Sequence, residues 1–162
     1  MTVTIADPTI TIKNLIKNNW TVGNTVLDQA PQIHTGWYEE NQNEVQVTIT
    51  SPDESTRGGG QTGFIGIAQA GAPAQIRGGI VSVDIWAHRN MVMDAGADIP
   101  NPKNVVWDLS NEVMRIITAN YEVADHLWVS FGFRRKLTDS TMKPVLHRIA
   151  IAVSYGWLKT VT

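Results

Sequence analysis

The chain has 162 residues, with 13 basic and 15 acidic side chains, a net charge of −2 and no cysteine. This length suits one domain, which can bury roughly 70% of the surface that its unfolded form exposes. The lack of cysteine excludes disulfides, thiolate zinc sites and cysteine nucleophiles, and nucleic-acid-binding proteins are usually more basic. The first residues do not resemble a signal peptide, and no stretch has the roughly 18 apolar residues of a membrane span. We therefore expect a soluble protein with no membrane partner, made in the cytoplasm of its producing cell.

The first predicted element is a helix that begins near residue 8. Asp7 can cap it, Pro8 suits its first position, and Gly23 lies just beyond a plausible end. The side chains expected on its buried face are Ile12, Leu15, Ile16 and Trp20. The alternation in "TITI" leaves a short strand as the alternative.

Two strands and a long glycine-rich loop follow. "QIHTGWYEE" is a weak strand because it contains Gly36, whereas "EVQVTITS" alternates regularly between apolar and polar residues. Residues 51–79 are rich in glycine, and we predict a loop or arm there. Phe64 and Ile65 would be poorly accommodated in a purely solvated loop. We expect them to become ordered against a neighbouring chain.

Residues 79–88 predict a strand with an unusual second face. Val81, Val83, Ile85 and Ala87 alternate with Ser82, Asp84, Trp86 and His88. The two-residue period of a strand puts the aliphatic set on one face and the mixed set on the other. A face that meets water would not ordinarily carry a tryptophan.

The remaining elements are one helix and two strands. Asn101 and Pro102 predict the helix start, and the apolar stripe of this helix consists of Val105, Val106, Leu109, Val113, Ile116 and Ile117. Asp108, Asn111, Glu112 and Arg115 fall outside that stripe. "HLWVSFGFR" predicts a strand with Leu127, Val129, Phe131 and Phe133 on one face, and "HRIAIAVSYGW" predicts the last strand. The order of elements predicts one α+β domain over residues 1–162, with a mostly antiparallel sheet of four to five strands and two helices packed on one face.

The motifs for small-molecule chemistry are weak. Gly58, Gly60 and Gly63 match a dinucleotide fingerprint, but the residues after them do not predict the helix that such a site needs. The four histidines are isolated, and Asp84 and His88 would lie about 13 Å apart along their strand. We therefore expect no catalytic residue, no metal ligand and no cofactor. A small hydrolase or nucleotide-dependent enzyme remains the alternative, followed by a nucleic-acid-binding module.

Two sets of residues are candidates for a subunit interface. Trp86 and Asp84 share the second face of their strand, and Trp128 has the same orientation on the next-to-last strand. Tryptophan mixed with charged residues is typical of protein interfaces, so a second copy would cover this face. Burial of both faces within one subunit is the alternative. Arg134 and Arg135 belong to the dense basic run "FRRKL", which indicates either an anion site, a patch for an acidic partner, or a solvated hairpin end.

The C-terminal half also resembles a known family. "VSVDIWA", "DLSNEVMRIITANY", "FRRKLTD" and "LHRIAIAVSYGW" occur in an order similar to that of tail completion or tail terminator proteins of long-tailed, siphovirus-like phages and viruses. The resemblance covers residues 78–158, and the glycine-rich segment is longer than is usual in that family. It implies sheet strands at residues 83–87 and 146–153 and a packing helix at residues 105–117.

The resemblance also implies a function. Proteins of this family are virion components without catalytic residues that form a ring, typically a hexamer, at the junction of tail and neck. The partners implied are further copies of the chain, the tail tube protein and a head-completion or connector protein. DNA would pass through the ring without sequence recognition, and the protein would reside in the virion after synthesis in the host cytoplasm.

Overall fold

The described part of the protein consists of two α-helices, a short 3-10 helix at Val22–Asn24 and one sheet. A computed structural model describes residues 7–40, 44–53, 74–91, 101–124 and 127–160. The helices are α1, Pro8–Asn19, and α2, Pro102–Ala119. The strands are β1, Gln32–Thr35; β2, Gln46–Asp53; β3, Ala74–Ala87; β4, Glu122–Ala124; β5, Leu127–Asp139; and β6, Leu146–Thr160. Their order in the sheet is β1-β2-β3-β6-β5-β4, and among these described strands only β1 and β2 pair in parallel.

The fold class is confirmed: an α+β fold with a mostly antiparallel sheet. The sheet has six strands rather than the four to five predicted, because the short β4 adds a strand at one edge. With three residues, β4 is too short for an alternating pattern to show in the sequence.

Both helices begin at the predicted caps. The Asp7 carboxylate accepts a hydrogen bond from the Thr9 amide (2.8 Å), and the Asn101 side-chain oxygen accepts one from the Lys103 amide (3.2 Å). Each cap provides a partner for an amide that the first helical turn leaves unpaired.

Among the described residues, no helix is long and apolar enough to cross a membrane.

The main core lies between the helices and one face of the sheet. The predicted apolar stripe of α2 is wholly buried, and so are Ile12 and Ile16 of α1. They pack with the aliphatic sides of β2, β3 and β6, which contribute Val47, Ile49, Val81, Val83, Ile85, Ile149, Ile151 and Val153. Each such side chain contributes about 1.5–3 kcal/mol when it is fully buried. This layer fixes the position of the helices, and so determines which sheet face stays free of them.

The bounds predicted for the glycine-rich loop are wrong at both ends. β2 extends to Asp53 and β3 begins at Ala74, so both ends of the predicted segment 51–79 belong to strands. Gly79 has a strand role, because a Cβ atom there would lie 2.6 Å from Oη of Tyr155, its partner on β6. The glycine makes room for the tyrosine ring, which the sequence pattern alone does not indicate. Phe64, Ile65 and the three fingerprint glycines lie outside the described residues.

A β-bulge at Gly132 changes the orientation of every later side chain in β5. Phe131 pairs with Val153 and Phe133 with Ala152, so Gly132 is an extra residue without a partner. A Cβ atom at Gly132 would lie 3.0 Å from the Ala152 carbonyl oxygen. The prediction that Phe133 shares a face with Phe131 is therefore wrong. Phe133 lies on the face opposite the helices, where 62% of its surface is exposed.

Candidate functional site: the sheet face opposite the helices

The sheet has one face that neither helix covers, and we call it the open face. Register places on it the alternate residues of the three long strands: Ile80, Ser82, Asp84 and Trp86 of β3; Arg148, Ala150, Ala152 and Ser154 of β6; and Phe133, Arg135 and Leu137 of β5. β2 contributes Gln46, Thr48 and Thr50 to the same face. This is the mixed face that the sequence of β3 predicts.

The segment after β1 folds back over part of the open face. Gly36 ends β1 with a φ of 108°, in the left-handed region that favours glycine. The buried side chain of Gln46 then holds the returning chain. Its Oε1 accepts a hydrogen bond from the Glu39 amide (3.0 Å), and its Nε2 donates one to the Glu39 carbonyl (2.8 Å). Trp37 and Tyr38 are thereby placed over β3.

Trp86 lies at the centre of an aromatic cluster. Its ring centroid is 5.1 Å from that of Trp37, in an edge-to-face arrangement, and 5.3 Å from that of Tyr38. Its Nε1 donates a hydrogen bond to Oγ1 of Thr48 (2.9 Å). Such pairs add about 0.5–1.5 kcal/mol each beyond the area that they bury.

Arg148 joins this cluster to a buried carboxylate. Its guanidinium carbon lies 4.8 Å from the ring centroid of Trp37 and 4.7 Å from that of Trp86. Its Nε donates a 2.8 Å hydrogen bond to Oδ1 of Asp84, and Oγ of Ser82 donates a 2.9 Å bond to Oδ2. Asp84 is fully buried, so these bonds supply the partners that a buried charge requires.

For Trp86 and Asp84 the structure contradicts the predicted cover by a second copy and agrees with the alternative, burial within one subunit. Trp86 is 5% exposed and Asp84 is inaccessible within a single chain, because Trp37, Tyr38 and Arg148 cover them. The accessible aromatic side chain here is Trp37, which is 57% exposed. Trp37 is not among the predicted interface residues. Its signal in the sequence is an aromatic pair directly after a glycine, and that pair lies in the segment predicted as a weak strand.

The other predicted interface residues have separate locations. Arg134 lies on the helix side, where its Nη1 donates hydrogen bonds to Oγ of Ser110 (2.9 Å) and Oδ1 of Asn111 (2.7 Å). Its guanidinium carbon also lies 3.4 Å from the ring centroid of Trp107. Arg134 therefore ties β5 to α2, whereas Arg135 is exposed on the open face. The backbone of Trp128 belongs to β5, but its side chain lies outside the described part of the structure.

The uncovered part of the open face is apolar with a cationic side chain in it. Phe133 is 62% exposed and Ile80 is 39% exposed. On β6, Ala152 is the partner of Phe133 and Ser154 is the partner of Ile80, while Arg135 lies beside Ala150. Aromatic residues and arginine are the types that protein interfaces enrich, and a contiguous exposed apolar patch indicates an interaction site. Register thus places Arg135, Phe133 and Ile80 on the open face, and Trp37 packs against Trp86 on the same face.

No group of three histidine, aspartate or glutamate side chains could hold a metal ion among the described residues. Comparisons with protein-family models and with curated proteins find no match for this chain.

Proposed function

We propose that this protein is a structural component of a virion, located at the junction of tail and neck. In this proposal, copies of the chain form a ring, typically a hexamer, that ends the tail tube and joins it to the head. Its partners are other copies of the chain, the tail tube protein and a head-completion or connector protein, while DNA passes through without sequence recognition. The protein acts as a building block rather than an enzyme.

The observation that carries the proposal is the open face. Trp37, Ile80 and Phe133 expose 57%, 39% and 62% of their surface on the same side of the sheet. From residue 80 to residue 86, β3 spans about 20 Å along this side of the sheet. A free monomer would leave this apolar surface in water, and a subunit of an assembly would bury it.

The order of the observed elements agrees with the order of the motifs that carry the family resemblance, and this supports the proposal. The quoted motifs correspond in turn to β3, α2, β5 and β6. In this arrangement β3 and β6 are central neighbours, and α2 packs across them on the helix side. The open face is then the broad surface of the subunit that remains for contact with another chain.

A closed ring sets a requirement on the contact. Head-to-tail assembly joins two different patches of each subunit, so the open face would meet a different surface of its neighbour. A two-fold dimer would instead join the open face to itself. The two geometries give different native masses and different particle shapes.

The test is the native mass of the purified chain, alone and after mixing with tail tube protein. The proposal expects a discrete oligomer in at least one of these samples, larger than a dimer. In electron micrographs it should form rings with a central hole wide enough for duplex DNA. A strict monomer at high concentration that also fails to bind tail tubes would contradict the proposal.

A further inference from the structure

A basic cavity lies on the other side of the sheet, at the start of α2. Its volume is about 550 Å³, and its walls come from three segments. The turn after β3 contributes Arg89 and Asn90, the first residue of α2 contributes Pro102, and the turn between β5 and β6 contributes Lys143, Pro144 and Val145. His147, near the start of β6, is the remaining described residue of the lining.

The positive charges around this cavity are not neutralised by described residues. Arg89 and Lys143 form no hydrogen bond or ion pair with any side chain in the described part of the protein. No described carboxylate lines the cavity. Lys103 and Lys136 also lie close enough to affect His147 electrostatically. A concave site with one sign of charge concentrates counter-ions.

His147 shows the same electrostatic environment. Burial, together with the positive charges of Lys103 and Lys136, lowers the pKa of His147 below its ordinary value. Its Nδ1 is buried and has no hydrogen-bond partner among the described atoms. The neutral ring therefore favours the tautomer with its proton on Nε2, because a buried N–H without an acceptor is costly. The Nε2–H group is then the one donor of this ring, and the residue lines the cavity.

We infer that this cavity is a binding site for a phosphate group, held by Arg89 and Lys143 with His147 as a further donor. Arginine offers a planar pair of donors that matches phosphate oxygens, and lysine adds a point charge. The N-terminus of α2, at Pro102, adds partial positive charge from the helix dipole. The same chemistry suits two sources, a free phosphate-bearing molecule or a backbone phosphate of duplex DNA. The site itself does not depend on the ring proposed above.

The first experiment uses the full chain and inorganic phosphate. Thermal unfolding is followed at constant ionic strength while phosphate replaces chloride, with acetate in a parallel series. Binding to the native state raises the melting temperature in a saturable way. We expect phosphate to do so and acetate to have little effect. An equal response to acetate and phosphate, or no response beyond that of chloride, would overturn the inference.

Variants locate the effect. Arg89→Gln and Lys143→Gln should each raise the apparent Kd for phosphate roughly fivefold to tenfold, since each removes one charge-assisted contact. Lys13→Gln, which removes a cation from α1 away from the cavity lining, should leave the Kd unchanged. In NMR spectra, phosphate should raise the pKa of His147. A Kd that stays the same in the Arg89→Gln, Lys143→Gln double variant would place binding elsewhere and contradict the site.

A short duplex DNA distinguishes the two sources. If the cavity takes a backbone phosphate, the duplex should bind regardless of sequence, phosphate should compete, and both variants should reduce the salt dependence of binding. If the duplex does not bind while phosphate still does, the ligand is a free phosphate-bearing molecule. Both results support the site, and failure of ring assembly would leave either of them unaffected.

Discussion

Arg148 and Asp84 form a hydrogen-bonded ion pair (Nε to Oδ1, 2.8 Å) beneath the aromatic side chains of the open face. The carboxylate is fully buried and the arginine side chain is 24% exposed. The guanidinium lies against the rings of both Trp37 and Trp86. One residue therefore neutralises a buried charge and also holds the tryptophan whose surface remains available to a partner.

This geometry predicts the effect of Asp84→Asn. The substitution keeps the size of the side chain but leaves the partly buried Arg148 without its counter-ion, and breaking a buried pair in this way costs about 3 kcal/mol or more. Chemical denaturation should show that loss, whereas Glu40→Gln, at an exposed acid, should change the free energy of unfolding by less than about 0.5 kcal/mol. The double variant Asp84→Asn, Arg148→Met should lose less than the sum of the two single changes. A loss below about 0.5 kcal/mol for Asp84→Asn would contradict the buried pair.

The open face predicts a selective assembly defect for Phe133→Ser. This side chain is 62% exposed, so its removal should leave the free energy of unfolding within about 1 kcal/mol of the wild type. It should nevertheless reduce the fraction of assembled protein, measured by native mass with and without tail tube protein. Tyr121→Ser is the matched control, because Tyr121 is also 62% exposed but follows α2 rather than lying on the open face. Equal assembly of both variants and the wild type would exclude Phe133 from the contact.

The sequence predicted the helices and the long strands well because their signals are local. The caps at Asp7 and Asn101 and the apolar stripe of α2 depend on neighbours within a few residues. The two-sided character of β3 also follows from simple alternation. What covers the second side depends on Trp37, which reaches Trp86 only after the turn at Gly36. A variant such as Trp86→Asp is therefore expected to unfold the subunit rather than leave it folded and unable to assemble.

The basic run shows a second limit of sequence patterns. Gly132 has no partner on β6, and this extra residue exchanges the two sheet faces for every later side chain of β5. As a result Arg134 contacts α2, while Arg135 lies on the open face. A bulge is specified by the partner strand as much as by its own residues, and alternation alone cannot locate it. The burial of Glu112 also depends on residues outside its own helix. Glu112 lies outside the apolar stripe of α2 and is nevertheless buried. Its partners, Thr21 and Asn24, are distant in the sequence.

The close contact between Gly79 and Tyr155 predicts that Gly79→Ala causes a steric clash and that a smaller residue at position 155 relieves it. In Gly79→Ala the new Cβ would lie 2.6 Å from Oη and 2.8 Å from Cζ of Tyr155, so the stiff ring must move. Overpacking of this kind costs about 1–3 kcal/mol, which should appear in the free energy of unfolding. Combining Gly79→Ala with Tyr155→Val should cost less than the sum of the two single changes. Gly23→Ala, at a position where a Cβ meets nothing within 4 Å, is the control. Strict additivity at residues 79 and 155 would contradict the packing.

Glu112 predicts a loss of stability in acid. Its carboxylate accepts hydrogen bonds from Arg115 Nη2 (2.6 Å) and Nε (2.8 Å), from the Thr21 amide (3.0 Å) and from Asn24 Nδ2 (3.2 Å). The bond to Arg115 is the largest reason why the pKa of Glu112 lies below its ordinary value of 4.5, and burial opposes it. The pKa of this carboxyl is lower in the native state than in the unfolded state, so its ionised form stabilises the fold. Its contribution to the free energy of unfolding is complete above pH 4.5 and is lost as the pH falls through the lowered pKa.

Denaturation curves between pH 3 and pH 7 test this contribution directly. Glu112→Gln should be less stable than the wild type by about 1–3 kcal/mol at neutral pH, since the charge-assisted bonds from Arg115 are lost and the Thr21 amide keeps only a neutral acceptor. The difference between the two proteins should shrink below pH 4.5, where the wild-type carboxylate becomes protonated. Glu122→Gln, at an exposed acid on β4, should follow the wild-type curve throughout. A gap between Glu112→Gln and the wild type that stays constant down to pH 3 would show that the ionised carboxylate is not what joins α2 to the turn after α1.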